Sequence, residues 1–328
     1  MKNGIQLVFM LLMLLPFFGN AQHARPGFIT TDTVADAYKE KYPDYIKLRL
    51  GISNGFHSYN IKTGPVRFNL TPNERIRTTL TLMYKFIEVD IGYTPRFLRF
   101  NNDDHLRGSS KFSSLGTRFY VGRWMQNLQF SRTRGYYVDR KDIGTPQNIL
   151  FPDFRTTKVG GSTAYIFNPD FSFRSIFIQS EWQKKSVGSF VPSVSYYVTE
   201  VKSGDPGKDR ILDIAVGPAY FYNWLLGKKF MVSAGAYGGI GYNHTWSFEN
   251  GRVTEQLRSL SFQSQFRLAL CYNTENFYMG AIASLESFYY NQTPQVQVQD
   301  RETFFECYFG YRFKAPGRVS RTFKKYGL

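Results

Sequence analysis

The segment Phe305-Glu306-Cys307-Tyr308-Phe309-Gly310-Tyr311-Arg312-Phe313 decides the fold class of this chain. Its odd-numbered positions are apolar or aromatic, and more polar or smaller residues stand between them. Because side chains of a β-strand alternate between two faces, this segment has one greasy face and one wetter face. Segments of this kind recur along nearly the whole chain, which predicts an antiparallel β-barrel that spans a membrane.

The first 21 residues have the pattern of a secretory signal peptide. Lys2 is their only charge, an apolar core runs from Ile5 to Phe18, and Gly19-Asn20-Ala21 supplies small residues for cleavage. The apolar run is short for a helix that crosses a bilayer, so we predict cleavage after Ala21 rather than a membrane anchor. The protein is therefore expected to be exported to the bacterial outer membrane.

The composition supports a barrel over a helical membrane protein. Beyond the signal there is no apolar run long enough for a spanning helix, and the mean hydropathy is −0.34. A membrane barrel can have a low mean hydropathy because only half of the residues in each strand face lipid. The 31 Phe and 23 Tyr suit aromatic girdles at the two membrane surfaces.

The chain is strongly basic. Its formal charge of +16 becomes +15 if Lys2 leaves with the signal. Nucleic acid is a poor partner for an exported barrel, so we expect outer-membrane lipid phosphates as partners, with an anionic small solute as an alternative. The sequence indicates no cofactor and no particular protein partner.

Alternation predicts twelve strands. In the first of them Leu48, Leu50 and Ile52 point outward, and Lys47 and Arg49 inward. The predicted strands lie near residues 46–53, 75–84, 87–93, 113–123, 127–135, 171–182, 187–198, 210–222, 229–243, 258–272, 277–290 and 302–313. We therefore predict an all-β, up-and-down barrel of about 12 strands with short periplasmic turns and longer extracellular loops.

Residues 157–167 could form a thirteenth strand, but bacterial barrels have an even count with both termini in the periplasm. We therefore predict that 157–167 is loop structure. Twelve strands put short turns near Lys85, Asn127, Gln183–Val187, Gly227–Lys229 and Asn273–Asn276. The long connections 54–74, 98–112, 136–170, 199–209, 244–257 and 291–301 then lie outside, and 136–170 is the expected plug.

The domain organisation follows from these strands. Residues 1–21 form the signal peptide, 22–44 a periplasmic leader, 45–313 the barrel and 314–328 a basic tail. Within the leader, Asp32–Lys41 is compatible with a short helix. Cys271 is predicted to point inward and Cys307 outward, so we expect no disulfide between them.

Charged residues on the inward face predict a lumen network. Its expected cations are Arg49, Arg75, Arg77, Arg174, Arg267 and Arg312, and its expected acids are Glu88, Asp90, Asp213, Glu286 and Glu306. Buried charges need partners, so a structural salt-bridge network is the first interpretation, and a basic constriction that selects anions is the alternative. Small inward residues leave room for water, a ligand or a plug: Ala215, Gly217, Ala219, Ser233, Gly235, Gly239 and Gly241.

Two further candidate sites have weaker support in the sequence. His244 and Ser247 faintly resemble the active-site segment of outer-membrane phospholipase A. Their spacing of three puts them on opposite faces of a regular strand, which argues against catalysis. Lys184 and Lys185 suit lipid phosphates at a periplasmic turn, with an anion site as the alternative. No two of the four histidines have metal-ligand spacing, so no metal is predicted.

Several segments carry a family resemblance: Tyr165-Ile166-Phe167-Asn168, Phe171-Ser172-Phe173-Arg174, Gln183–Phe190, Gly241-Tyr242 and Trp246-Ser247-Phe248. The chain resembles the domain-of-unknown-function family 4421, found mostly in Bacteroidota, over about Tyr45 to Phe313. The resemblance implies an outer-membrane barrel and assigns no activity.

The function predicted from these patterns is a structural or small-solute-binding barrel, plugged or narrowly conducting, and not an enzyme. A phospholipase-like hydrolase and a surface adhesion or assembly component are the alternatives. A soluble secreted β-sandwich is the rival fold, because its strands also alternate.

Overall fold

The computed structural model describes residues 37–73, 76–84, 87–93, 95, 97–98, 101–177, 179–204, 207–293 and 295–325. The predicted signal peptide and most of the predicted leader lie outside these residues. Among the described residues, no helix is long and apolar enough to cross a membrane.

Strands dominate the described chain. In chain order they are β1 (Lys39–Lys41), β2 (Tyr45–Thr63), β3 (Val66–Thr71), β4 (Arg77–Tyr84), β5 (Ile87–Tyr93), β6 (Lys111–Val121), β7 (Trp124–Val138), β8 (Ile149–Tyr165), β9 (Glu181–Gln183), β10 (Val187–Phe190), β11 (Ser193–Lys202), β12 (Lys208–Gly217), β13 (Ala219–Leu226), β14 (Phe230–Glu249), β15 (Arg252–Asn273), β16 (Phe277–Thr293) and β17 (Val296–Lys314). Short helices α1 (Asp104–Arg107) and α2 (Arg140–Ile143) follow β5 and β7, and α3 (Gly317–Lys325) follows β17.

Ten strands close into a ring of antiparallel ladders. The order around the ring is β2, β3, β7, β8, β11, β12, β14, β15, β16, β17 and back to β2. Three further strands pair with the ring or with each other. β4 pairs with the first half of β2, β5 pairs with β4, and β6 pairs with β7. The predicted antiparallel barrel is confirmed, and the predicted count of twelve is not, because the ring that closes has ten members.

The barrel belongs to a compact unit of Ala35–Ala315. The helix α3 belongs to a second unit, and it is a basic helix with Arg318 and Arg321 on its exposed side.

Two prolines interrupt otherwise continuous strands. β10 and β11 keep one register on either side of Pro192, and β12 and β13 keep one register on either side of Pro218. Proline has no N–H to give to a ladder, which explains both breaks. Gly217, beside Pro218, is needed for close approach, because an added Cβ would lie 2.1 Å from the carbonyl oxygen of Gly238.

The alternation assigns the two faces correctly on the best-patterned strands. On β2, Leu48, Leu50 and Ile52 are exposed on the barrel exterior, while Lys47 and Arg49 are buried inside. On β17 the exterior carries Phe305 and Phe309, and Arg312 is buried. The two cysteines also lie as predicted, since Cys271 is buried, Cys307 is exposed and both are free thiols.

One stretch of the chain was predicted in the wrong conformation. Residues 157–167, expected to be loop, lie largely within β8, which pairs with both β7 and β11. Residues 171–182, expected to be a strand, are not part of the wall. They belong to the connection 166–186, the plug segment, which fills one end of the barrel.

The plug segment packs its apolar residues into the barrel. Phe171, Phe173 and Ile176 are buried in a cluster that includes Phe221 and Met231 of the wall. The Phe173 and Phe221 rings meet edge to face at 4.8 Å. The expected plug, 136–170, was therefore the wrong segment.

The segment before the barrel also differs from expectation. Lys39–Lys41, predicted to end a short helix, forms β1 and pairs antiparallel with β9 at the end of the plug segment. Three ladder pairs therefore tie the segment before β2 to the plug.

Most of the predicted long outer loops are extended strands. β14 and β15 continue to a turn at Asn250 and Gly251, whose φ angles of 51° and 77° suit a two-residue hairpin turn. β2 and β3 meet at Gly64-Pro65. In the part of the chain that the structure describes, residues 101–110, which include α1, and residues 139–148, which include α2, remain outside the strands. The turn expected near Asn127 lies at Gly122-Arg123, so Asn127 sits inside β7.

Candidate functional site

A cavity of about 280 Å³, called the chamber below, lies inside the barrel. Its lining is mostly amide, hydroxyl and charged side chains. They include Asn127, Gln129, Ser162, Ser193, Ser195, Gln263, Gln265 and Ser284, with Arg49, Arg118, Arg267, Glu286, Glu302 and Glu306. The chamber is the candidate functional site because it gathers polar groups in the interior of the protein.

The plug segment forms the floor of the chamber. Phe173 and Phe177 line it from below. Arg49 Nη1 donates to the carbonyl oxygen of Phe177 at 3.3 Å and lies 3.8 Å from the carboxylate of Glu306. This pair of predicted lumen residues therefore holds the plug against the wall.

Polar contacts inside the plug segment keep its shape. Ser172 Oγ donates to Glu181 at 2.6 Å, and Arg174 pairs with the same carboxylate at 3.3 Å. Gln183 accepts from the Ser172 amide at 3.1 Å. Arg174 was predicted to face the lumen from a strand, and it belongs instead to the plug.

Arg312 joins three parts of the chain below the floor. Its guanidinium donates to the carbonyl oxygens of Gln179 (3.3 Å) and Thr274 (2.9 Å) and to the side chain of Asn273 (2.5 Å). The guanidinium carbon also lies 4.4 Å from the ring centre of Tyr42. Arg312 is only 1% exposed. This predicted lumen cation is therefore buried, and it binds the plug segment to the wall.

The roof of the chamber is a charged cluster that the sequence analysis missed. Lys158 Nζ lies 3.0 Å from Asp300, and His57 lies 3.2 Å from Glu302 and 3.7 Å from Asp300. Lys158 also stands 4.0 Å from the ring centre of Phe288. His57 lies on the same inward face of β2 as Arg49, and Asp300 lies on the same inward face of β17 as Glu306. The predicted strands are too short to include these two residues.

Above this cluster, aromatic and aliphatic side chains of the wall fill the barrel. The buried members are Tyr59, Leu70, Tyr136, Val138, Tyr197, Ile211, Phe288, Tyr290 and Val298. The chamber is thus bounded by a hydrophobic cluster at each end, one built by the plug and one by the strands.

The described members of the predicted lumen network include two acids that accept from amide side chains. Glu286 accepts from Gln263 at 2.5 Å and Gln265 at 3.3 Å. Asp213 accepts from Asn243 at 2.8 Å. The side chains of Arg75, Glu88 and Asp90 lie outside the described residues.

Two predicted arginines rest on aromatic rings. Arg77 stands over Phe112 at 4.0 Å, away from the chamber, and Arg267 stands over Phe177 at 4.7 Å. Arg118, which the sequence analysis did not single out, also lines the chamber.

Of the small inward residues, Ala219 lines the chamber, whereas Gly235 and Gly239 serve packing. A Cβ on Gly235 would lie 1.9 Å from the Phe221 ring, and one on Gly239 would lie 2.2 Å from the Tyr237 hydroxyl. These glycines make room for aromatic rings of the same wall, not for an open passage.

At neither of the two weaker candidate sites do the predicted side chains point toward a common ligand position. His244 stacks on Trp246 at 3.8 Å on the exterior of β14, and Ser247 lies on the opposite face. The irregularity in the β14–β15 ladder leaves Thr254 of β15 unpaired and adds no residue between His244 and Ser247, so it does not bring the two together. Lys185 stands 4.7 Å from the Tyr38 ring, and the Lys184 amide donates to the Tyr38 carbonyl at 2.7 Å. In the described part of the chain, no group of three or more His, Cys, Asp or Glu could hold a metal ion.

Comparison with known proteins identifies the family. The family model described as "Domain of unknown function (DUF4421)" matches residues 30–313. The chain belongs to this family. A search of curated proteins found no match.

Solved structures with similar strand arrangements are distant. OmpT of Vibrio cholerae, described as expressed in the outer membrane, aligns at 9% identity with a TM-score of 0.32, covering 82% of this chain and 98% of its own. The outer membrane protein OprG of Pseudomonas aeruginosa gives 12% and 0.18, covering 84% and 99%. The toluene transporter TodX of P. putida gives 8% and 0.18, covering 84% and 91%. At such TM-scores, none of these likenesses supports an inference about activity.

Proposed function

We propose that the protein is an outer-membrane barrel whose closed lumen binds a small polar solute. Its exterior supports the location. On β15, exposed apolar residues recur from Leu260 to Leu270. This stretch is about 33 Å long, and a tilt of about 40° gives it a height of about 25 Å, the height of the apolar band of outer-membrane barrels.

Aromatic pairs at one rim support the same location. They are Trp124–Tyr165, Tyr222–Trp224, Phe230–Tyr272 and Phe277–Tyr311, with ring centres 4.7–4.9 Å apart. Aromatic side chains favour the boundary between lipid and water. This rim carries the short turns at 122–123, 227–229 and 274–276, so we assign it to the periplasmic side.

The chamber carries the proposal of solute binding. It is polar, it is large enough for one small molecule, and hydrophobic clusters bound it on both sides. An open ion channel would instead need a continuous aqueous path. We therefore propose occlusion with binding rather than steady conduction.

Planar-bilayer recording tests the occlusion. Purified protein of verified heat-modifiable gel migration should give no steady open-channel conductance. The variant Phe173→Ala, which removes a plug ring, should give transient steps. Steady conductance of the wild-type protein would refute occlusion.

An arginine scan on β2 tests the membrane location. Leu50→Arg places a cation in the exterior apolar band and should destabilise the inserted protein by about 2–4 kcal/mol. Ser58→Arg, on the same face but beyond the band, should cost less than about 1 kcal/mol. Equal effects, together with recovery in the soluble fraction, would favour a secreted β-sandwich.

A further inference from the structure

The acids of the chamber already have partners. Glu302 lies 3.2 Å from His57 Nε2 and accepts from Gln129 at 3.3 Å. Glu306 pairs with Arg49, and Glu286 accepts from two glutamine amides. A cationic ligand would therefore have to displace existing contacts to reach any of these three carboxylates.

Two arginines of the chamber, unlike these acids, contact an aromatic ring instead of a polar side chain. The guanidinium carbons of Arg118 and Arg267 stand 3.8 Å and 4.7 Å from the ring centre of Phe177. Neither guanidinium makes a hydrogen bond or an ion pair within 4.0 Å to a described residue. Arg118 Nε is buried without a hydrogen-bond partner, and Glu286 acts on Arg267 only from beyond ion-pair distance.

This arrangement is costly without an anion. Two cations this close to one ring cannot be far from each other, and like charges repel strongly away from bulk water. The ring face compensates part of that cost by a cation–π attraction of about 0.5–2 kcal/mol per cation. A bound oxyanion would compensate more, because guanidinium groups bind carboxylate and phosphate oxygens in a fork geometry.

The geometry points to an anion site in the chamber, formed by Arg118 and Arg267 on the ring of Phe177, for a small hydroxylated carboxylate or phosphate ester. The inference rests on the proposed solute-binding function and names the ligand class. The remaining lining selects the body of the ligand. Asn127, Ser162, Ser193 and Ser284 offer amide and hydroxyl groups that suit a polyhydroxylated molecule.

The size of the chamber limits the ligand. A cavity of about 280 Å³ is at the lower end of the range of ligand sites, about 300–1,000 Å³, so we expect a ligand the size of a monosaccharide acid or a monosaccharide phosphate. The plug contributes Phe177, so the site exists only while the plug is seated.

Equilibrium dialysis of the full-length protein in detergent tests the site. The probes are radiolabelled glucuronate and glucose 6-phosphate, with neutral glucose as the uncharged control. We expect one or both anions to bind the wild-type protein and glucose to bind at least tenfold more weakly. The anion that binds more tightly identifies the carboxylate or the phosphate as the preferred group.

The matched variants are Arg118→Gln, Arg267→Gln and Arg77→Gln. Arg77 also stands over a ring inside the barrel but away from the chamber. We expect the first two changes to weaken anion binding roughly 10- to 100-fold, as for the loss of a charged hydrogen bond, and the third to leave binding unchanged. Phe177→Leu keeps both arginines and the apolar floor, and should weaken binding several-fold.

Three outcomes would overturn the site. They are no binding of either anion to folded wild-type protein, equal binding of glucose, and an equal loss in Arg77→Gln. If Arg267→Gln does not fold, Arg118→Gln and Phe177→Leu decide the question. Bilayer recordings separate the two proposals, because an occluded barrel that binds no anion refutes only the anion site.

Discussion

The two ends of the chamber are closed in different ways. The floor is the plug segment, a piece of chain joined to the wall only through its ends and its side-chain contacts. The roof is the charged cluster around Lys158 and Asp300, and a hydrophobic cluster that includes Tyr59 and Phe288 lies above it; the ring strands themselves carry all of these side chains. The floor can therefore leave without breaking a ladder of the ring, because its one ladder is the three-pair contact of β9 with β1. The roof opens only if the wall deforms.

The charges at the two ends follow the same division. At the roof, Lys158 and Asp300 belong to β8 and β17 and are both buried. At the floor, Arg49 and Arg312 belong to the wall but donate to carbonyl oxygens of the plug segment. The roof charges thus hold wall to wall, and the floor charges hold wall to plug.

The largest expected effect comes from breaking the roof. Lys158→Met removes the nearer of the two basic partners of buried Asp300 and leaves only His57 at 3.7 Å, which should lower the free energy of unfolding by about 3 kcal/mol. Urea unfolding of the detergent-solubilised protein, followed by tryptophan fluorescence, measures this loss. The exposed control Lys141→Met should change stability by less than about 0.5 kcal/mol. Similar losses in both variants would mean that the roof pair adds no stability.

The next effect comes from emptying the floor. Phe173→Ala removes a buried ring from the plug, which should destabilise the seated plug by about 3 kcal/mol and leave the ring of ladders intact. Cys271 reports this change, because Gln179 of the plug covers its thiol at 3.9 Å.

Maleimide labelling in a Cys307→Ser background measures that plug movement. Labelling of Cys271 should accelerate roughly 100-fold in Phe173→Ala. Phe167→Ala, in the same segment but on an exposed side chain, should leave the rate unchanged. Slow labelling of both variants would show that the plug does not move separately from the wall.

A smaller effect should follow from loosening the plug internally. Glu181→Ala removes the acceptor of Ser172 and the partner of Arg174, at a cost of about 1–2 kcal/mol in plug seating. Cys271 labelling should accelerate about tenfold. The exposed control Glu249→Ala should not alter the rate, and an equal response there would point to an indirect effect of charge.

The smallest effect concerns the segment before β2. Lys185→Ala removes the contact with the Tyr38 ring, worth about 0.5–1 kcal/mol at an exposed site. Limited proteolysis near residues 37–41 should become a few-fold faster, and Lys202→Ala should not change it. An unchanged rate would mean that the β1–β9 ladder alone holds this segment.

The sequence was informative where the two faces of a strand meet different surroundings. Leu50 and Phe309 meet the exterior, Arg49 and Arg312 the interior, and the alternation follows directly from that difference. The same rule failed at Phe171-Ser172-Phe173-Arg174. These residues alternate because the plug also packs one side of its chain on the wall, so the local pattern cannot distinguish plug from strand.

The opposite error at β8 has a related cause. Residues 157–167 are predicted as loop because 171–182 counts as a strand, and a further strand would make the count odd. Gly160 is required by a neighbouring backbone, since an added Cβ would lie 2.1 Å from the Tyr196 carbonyl, and Lys158 needs Asp300. Such requirements depend on strands far away in sequence and leave no local periodicity. The lining of the chamber combines side chains from seven or more strands. For the same reason, the sequence pattern could not predict it.

The pairing of β2 with β17 has a consequence for how the chain folds. Tyr45 lies opposite Lys314, so this ladder joins the two ends of the barrel sequence. Loops of that length close slowly because the chain loses entropy before the contacts form. Arg312, which binds the plug segment to the wall, lies on the same late strand. The plug segment therefore lacks its contacts with Arg312 until β17 has paired with β2. A chain that stops folding before this step would expose an unpaired strand edge and the apolar residues of the plug segment, and both favour aggregation.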